Sequence, residues 1–277
     1  MPVLGISLGL QYGPLTQRYA RRVEQAGGRF DPGGRALRAL DTMLYGEYSN
    51  GSGGTASVAS LATGFVSLWC PFCSFSGITI SLIGPDVVNT NYVSGDYSLQ
   101  SGLQGGSTKF LSSTIALNQM TGSIYGLGAY FNTALNLSTS QVMGARATGS
   151  TFCLDVGANG GTPAYRIRPG VSGATPTTVS GNSSTGMMFM SRLAASGADS
   201  VKLFQPDGTE STFNLTAAAA AGSAIYYGAL NVVNASSDFI LNIYNAAFVT
   251  RGLAFNTPEA AVLRAALNEA NTARATL

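Results

Sequence analysis

From Ile83 onward the chain is cut into short runs of β-branched and aromatic residues, punctuated by Gly, Asn, Asp, Pro and Ser at intervals of about 8–12 residues. That rhythm constrains the fold more than any other feature. Runs of this length are too short for helices. Their turn residues carry specific chemistry: Gly accepts positive φ, Pro presets φ, and Asn and Asp bond to nearby backbone. The spacing predicts strands near residues 107–116, 122–132, 141–146, 151–157, 163–168, 186–193, 200–205, 210–215, 224–231 and 238–250. The best-defined hairpin joins Ser200–Phe204 to Thr209–Phe213 through Gln205-Pro-Asp-Gly208, with Val201 and Leu203 alternating against Lys202. The spacing predicts a mainly β fold, an antiparallel sandwich or barrel, with a small N-terminal helical region and a C-terminal helix. The five-alanine run Ala217–Ala221 is too short to stand as a helix and reads as a loop.

The first 50 residues follow a different pattern. Leu4, Ile6, Leu8, Leu10 and Tyr12 alternate with Gly5, Ser7, Gly9 and Gln11, a period of two that predicts a strand with one apolar side. Such a strand either packs on its own chain or serves as an arm that adds to a neighbour's sheet edge. Residues 16–26 read as a helix with Thr16 as cap and Gly27-Gly28 as its end, and residues 35–45 as a second helix with Leu37, Leu40 and Leu44 on one face. Asp31-Pro-Gly-Gly34 is the turn between them. Three regions are expected: a β-arm and helical docking region over 1–50, an apolar connecting segment over 51–82 opened by the linker Asn50-Gly-Ser-Gly-Gly54, and the sandwich with its C-terminal helix over 83–277. That last helix begins with Thr257 as cap, Pro258 at its first position and Glu259 at the favourable end of the dipole.

Within the β region the block Ile83-Gly-Pro-Asp, Asn91-Tyr-Val-Ser-Gly-Asp-Tyr97-Ser and Gly105-Gly-Ser-Thr-Lys-Phe-Leu111 resembles a segment of bacteriophage virion proteins that carry a laminin-G-like jelly roll. Thr257-Pro-Glu-Ala-Ala-Val-Leu263 is similar to the helix that closes such proteins. The resemblance runs from about Tyr19 to Ala273 and is most specific in these two blocks. It implies a fold, an antiparallel jelly-roll (concanavalin-A-like) sandwich with a small N-terminal helical region and a C-terminal helix, and a role, a structural or attachment protein of a virion assembled in the host cytoplasm. Its expected partners are other virion proteins, further copies of itself (a trimer favoured) and a host surface glycan. The expected role is a tail or neck appendage. A capsid decoration protein is the alternative, and a polysaccharide depolymerase stands behind both.

Composition narrows the chemistry. The chain contains no histidine, which removes Ser-His-Asp and Cys-His catalysis and imidazole metal ligands. Charged residues are only 10% of the chain, so its surface polarity rests on Ser, Thr, Asn and Gln and suits burial against neighbours. Residues 1–50 hold six arginines against four carboxylates, and the remainder balances. That excess is too small for a nucleic-acid footprint. It reads as a solvated helix face that touches a neighbouring subunit, with Arg18, Arg21 and Arg22 joining Leu4, Ile6, Leu8, Leu10 and Tyr12 as candidate assembly residues. No run of apolar residues is long enough to predict a membrane span.

Other motifs carry weaker readings. Cys70-Pro-Phe-Cys73 has the spacing of a redox pair but lacks the βαβ context, so buried apolar thiols are the better reading. Carboxylates at Asp155, Asp199, Asp207, Glu210 and Asp238 could pair as acid and base, although Asp207 is already explained by its turn. Asn231, Asn234 and Asp238 could form a calcium loop but lack an established ligand spacing. Trp69, Tyr92, Tyr97, Tyr165, Tyr226 and Tyr227 could offer a sugar platform; strand core or subunit interface is the favoured reading. No catalytic, cofactor-binding or metal-ligating residue is assigned, and no cofactor is expected.

Overall fold

The computed structural model describes residues 12–116, 124–132, 140–147, 150–159, 162–172, 177–180, 185–194, 196–214, 224–227, 230–232, 235–237 and 244–277. Among these residues the chain forms two large sheets and three α-helices, α1 (Pro14–Gln25), α2 (Arg35–Tyr45) and α3 (Thr257–Arg274). The antiparallel sandwich expected from the sequence is present, with the helices at the two ends of the chain. One sheet runs in the order Thr177–Ser180, Thr162–Ser172, Ser150–Asn159, Ser140–Ala147, Ala224–Tyr227, Phe110–Ala116, Val88–Thr90. The other runs Glu210–Phe213, Val201–Phe204, Gly186–Arg192, Tyr125–Phe131, Tyr244–Arg251, Gly102–Gln104, Tyr97–Ser98. One pairing departs from the antiparallel rule: Leu230–Val232 lies parallel to Ser140–Ala147.

The second sheet is buried on both faces, which makes the molecule three layers deep. Side-chain parity shows this directly. Along Gly186–Arg192, Met188 and Met190 enter the core between the sheets, while Met187 and Phe189 enter a second core under the helices. Val201 and Leu203 face the first core and Phe204 the second. Strand residues alternate sides with period two, so a strand covered on both sides must be apolar throughout. Tyr125–Phe131 obeys the same rule with glycine as the small partner. Leu127, Ala129 and Phe131 face the first core, while Gly126 and Gly128 lie under the helical layer. A methyl group at Gly126 would sit 2.5 Å from the Phe255 ring, and one at Gly128 would sit 2.7 Å from Met187 Cε.

The first core centres on Trp69, whose indole N–H donates to Ile78 O at 2.7 Å, and on Phe248, stacked on Tyr227 at 4.8 Å. Trp69 arrives there because the segment 51–82 contributes the strand Phe65–Trp69, paired with Tyr244–Arg251. The second core joins α1, α2 and α3 to the sheet through Tyr19, Val23, Leu40, Leu44, Leu263 and Leu267.

Two helix starts differ from the sequence expectation. Thr16 does not cap α1, which begins at Pro14. Thr16 is buried within the first turn, and both its hydroxyl and the Gly13 N–H donate to Asp41 Oδ1, at 2.7 and 2.8 Å. A carboxylate from α2 therefore does the work of a local cap. At α3 the cap is Asn256, not Thr257. The Glu259 N–H donates to Asn256 Oδ1 at 2.9 Å, and the Asn256 N–H donates back to Glu259 Oε2 at 3.1 Å, a reciprocal capping box. Thr257 instead donates its hydroxyl to Glu210. Asn256→Ala is expected to cost about 1 kcal/mol and lower the melting temperature by about 2–4 °C, with Thr257→Ala smaller. Thermal unfolding followed by circular dichroism checks this, and equal losses at the two positions would return the cap to Thr257.

The predicted hairpin is present. Phe204 pairs with Glu210, Gly208 has φ +96°, and the Thr209 N–H donates to Asp207 Oδ1 at 2.9 Å. Among the described residues no helix is long and apolar enough to cross a membrane. The run Ala217–Ala221 lies outside the described residues.

Candidate functional site

Three turns that are far apart in sequence meet at one end of the second sheet and enclose a cleft of about 390 Å³. The first is the α1–α2 connection, Arg29, Phe30 and Asp31. The second is Cys73, Ser74 and Phe75, following the Cys-Pro-Phe-Cys run. The third is the segment Ser94, Tyr97, Ser98 and Leu99. Arg29, Ser74 and Ser94 form an exposed rim, the rings of Phe30, Phe75 and Tyr97 form half-buried walls, and Cys73 lies buried beneath them.

Each wall is pinned by hydrogen bonds to backbone. Ser74 accepts the Arg29 N–H at its hydroxyl (2.9 Å) and donates its own N–H to Arg29 O (2.8 Å), locking the first turn to the second. The Tyr97 hydroxyl donates to Cys73 O at 2.9 Å, locking the second to the third. Asp31 accepts the N–H groups of Arg35 and Ala36 at 2.9 and 2.7 Å, so it is consumed in starting α2. Partial burial pushes its carboxyl up, but those two amides and the Arg35 guanidinium outweigh burial and hold it below the usual carboxylate range. Below the third turn, Arg274 of α3 is almost fully buried. Its Nε donates to Leu99 O at 2.8 Å, and its guanidinium lies over the Phe72 ring at 5.3 Å. The result is a pinned, partly apolar cleft with serine hydroxyls and one arginine at its mouth.

The third turn belongs to the Ile83–Leu111 block, and the structure explains that block's polar residues. Asn91 has φ +64° and donates from Nδ2 to Thr108 O at 2.8 Å. Asp96 accepts the Val93 N–H and pairs with Lys109, tying the ends of the loop together.

The residues singled out from the sequence lie in several places. Leu4, Ile6, Leu8 and Leu10 fall outside the described residues, and Tyr12 is buried against its own chain. Arg18 and Arg21 are exposed on α1. Arg22 is turned inward, donating to Ser81 O at 3.1 Å and pairing with Asp86. Of the tyrosines and Trp69 weighed as a sugar platform, Trp69, Tyr92, Tyr165 and Tyr227 are buried in the core between the sheets, and Tyr97 lines the cleft. Cys70 and Cys73 are buried free thiols. Burial, partly offset by Arg274 (and by the Tyr19 hydroxyl at Cys73), pushes both up to about 11, which leaves little thiolate at neutral pH. Glu210 is engaged by Lys202 and Thr257, and Asp207 is held in its turn. Asn234 and Asp238 lie outside the described residues. Among the described residues no group of three or more metal-ligating side chains comes together. Arg29, Phe30, Phe75 and the serines of the rim carry no sequence signal beyond their turns.

No protein-family model matches the chain, and no curated protein sequence matches it. Solved structures do. A mutant of Trypanosoma rangeli sialidase displaying trans-sialidase activity superposes with a TM-score of 0.53 at 16% identity, over 92% of this chain and 39% of that one. Trypanosoma rangeli sialidase in complex with sialic acid gives 0.53 and 16%, over 92% and 38%. The binding domain of botulinum neurotoxin DC in complex with SialylT gives 0.51 and 9%, over 75% and 52%. The chain thus spans between about two fifths and one half of the length of these structures. At such identities the likeness is one of architecture: the protein has an antiparallel β-sandwich fold.

Proposed function

We propose that the protein is a non-catalytic glycan-recognition module of a virion, carried as a tail or neck appendage, and that the cleft bounded by Arg29, Phe75 and Tyr97 holds the sugar. The observation that carries this reading is the lining itself. Three half-buried aromatic residues line a space of sugar size whose rim offers serine hydroxyls. Aromatic faces pack against the C–H faces of pyranose rings, and fixed hydroxyls and backbone groups orient the ligand. Walls pinned by the Ser74–Arg29 and Tyr97–Cys73 bonds need little ordering on binding. The similar structures support the reading by what they hold, sialic acid in one and SialylT in another. The lining disfavours turnover by a carboxylate pair. Acid–base hydrolysis of a glycoside uses two carboxyl groups, and Asp31, the one in the lining, is spent on the α2 amides. The virion setting follows from the Ile83–Leu111 resemblance, and the weakly charged surface suits an assembled homo-oligomer, a trimer favoured.

A glycan array probed with the full chain tests the binding. A defined class of glycan is expected to bind, and Phe75→Ala is expected to weaken it by about tenfold, the worth of one aromatic face, with the circular dichroism spectrum unchanged. Binding indifferent to Phe75, or no binding at all, overturns the assignment of the cleft. Release of reducing ends from the bound glycan would make the protein a depolymerase. Cryo-electron microscopy of intact particles tests the setting. Density on the tail or neck supports the appendage, and density at capsomer junctions makes the chain a decoration protein.

A further inference from the structure

We propose that the cleft selects sugars that bear a carboxylate, and that the Arg29 guanidinium is the group that reads the charge; this rests on the glycan reading above. Arg29 is fixed at the rim by its backbone clamp with Ser74, yet its side chain makes no hydrogen bond or ion pair among the described residues. Other arginines of the N-terminal region that lie near the cleft or the α1 packing surface are spent: Arg22 on Asp86, and Arg35 on Asp31 and the carbonyls of Thr276 and Leu277. Asp31 does not neutralise Arg29, because its oxygens accept from Arg35 and Ala36.

A second cation deepens the positive field. Arg274 is 1% exposed, donates to the carbonyls of Leu99 and Ala246, and has no carboxylate partner among the described residues. Its Nη2 makes no hydrogen bond. An unneutralised buried charge beneath a cleft with apolar walls focuses potential into that cleft. An exposed, planar, unpaired guanidinium at the mouth then offers a bidentate match to a carboxylate. Phe30, Phe75 and Tyr97 supply the surface for the ring that carries it. A neutral sugar would use the rings and hydroxyls but leave Arg29 idle.

The test uses the full chain and two matched ligand pairs, methyl β-D-glucuronide against methyl β-D-glucoside and sialyllactose against lactose, titrated by ligand-observed NMR at low and physiological salt. The acid of at least one pair is expected to bind about tenfold tighter than its neutral partner, with the margin shrinking as salt rises. Arg29→Gln should bring acid and neutral ligand to within about twofold of each other, and Arg29→Lys should keep part of the margin. Arg29 is exposed, so neither variant threatens the fold. Equal affinities within both pairs, or a preference that survives Arg29→Gln, overturns charge selection. If those equal affinities still fall with Phe75→Ala, the glycan reading stands without it. If none of the four ligands binds, or if Phe75→Ala changes nothing, both readings fail together.

Discussion

Arg251→Ala is expected to lower the unfolding free energy by about 3–5 kcal/mol, the cost of stranding one partner of a buried ion pair. Arg251 ends the strand Tyr244–Arg251, and its side chain is 5% exposed. It grips Glu259 with two N–H groups, at 2.5 and 2.6 Å, and donates a further bond to Ala254 O. The rings of Phe65 and Phe255 flank the guanidinium at 5.9 and 5.2 Å. Glu259 also closes the Asn256 capping box, so this one pair ties the last sheet strand to the first turn of α3 and hence to the helical layer. Truncation at Arg251 removes the ion pair and the packing of the alkyl stem and leaves the carboxylate facing aromatic rings. Replacing both partners, Arg251→Met with Glu259→Leu, is expected to recover most of the loss, because the pair contributes little beyond what an apolar fill of similar volume supplies. Equilibrium denaturation of the two variants beside the parent chain measures both effects. A single-variant loss below about 1 kcal/mol would show that the pair is not holding α3.

The same pair sets a pH dependence. Partial burial alone would raise the Glu259 carboxyl, but the hydrogen bonds and charge of Arg251 and the Asn256 N–H outweigh it and hold the group below its ordinary 4.5. A depressed folded-state value means that the unfolded chain binds the proton first. The stabilisation is complete above the ordinary carboxylate range, begins to fall as pH drops through about 4.5, and is lost below the depressed folded value. Glu259→Gln should flatten this part of the acid-denaturation curve. Asp31 and Asp96, also held low by amides and a neighbouring cation, leave a residual slope in that variant.

Much of the β architecture is legible in the sequence because its determinants are local. The Ser200–Phe213 hairpin follows from Pro206, Asp207 and Gly208 and from the alternation of Val201, Lys202 and Leu203, all within a few residues of one another. The cap of α3 is also legible, although Thr257 is the wrong choice: Asn256 stands three residues before Glu259, as a capping box requires, and Thr257 stands two. The third layer is harder to read. The continuous apolar run Met187-Met-Phe-Met190 signals a strand buried on both faces, but an amphipathic helix shows only that it has a buried face, not which sheet it covers. The cleft is harder still. Its three turns are individually recognisable, at residues 29–31, 73–75 and 94–99, yet they meet only because α1, the strand Phe65–Trp69 and the short strand Tyr97–Ser98 converge at one end of a sheet. Arg29 differs from Arg18 and Arg21 in the sequence by nothing; its surroundings make it a candidate ligand-binding residue.

Gly84→Ala is expected to destabilise the protein by about 3 kcal/mol, while Gly95→Ala, made in the same sequence block, is expected to change stability by no more than about 0.5 kcal/mol. Gly84 has φ +81°, a conformation costly to any residue with a Cβ. The added methyl carbon would lie 2.0 Å from Val66 O and 3.1 Å from Ser67 Cα, and both are backbone that no rotamer change can clear. That backbone belongs to the strand carrying Leu68 and Trp69 into the two cores, and Ile83 beside Gly84 is bound to it: the Leu68 N–H donates to Ile83 O at 3.1 Å. Relieving the clash therefore means moving Phe65–Trp69 away from its partner Tyr244–Arg251 or breaking the Leu68–Ile83 bridge. At Gly95 an added methyl meets nothing within 4 Å. The Gly-Pro-Asp that opens the Ile83–Leu111 block is thus explained by close backbone approach, and Asp86 completes it by accepting the Ser81 N–H and pairing with Arg22 of α1. Urea titration of the two variants distinguishes this account from a purely surface role for the motif. Equal midpoints for Gly84→Ala and Gly95→Ala would mean that the segment does not brace the Trp69 strand. A midpoint loss confined to Gly84→Ala would place the most recognisable text of the chain in the frame that supports the cleft rather than in the cleft's own chemistry.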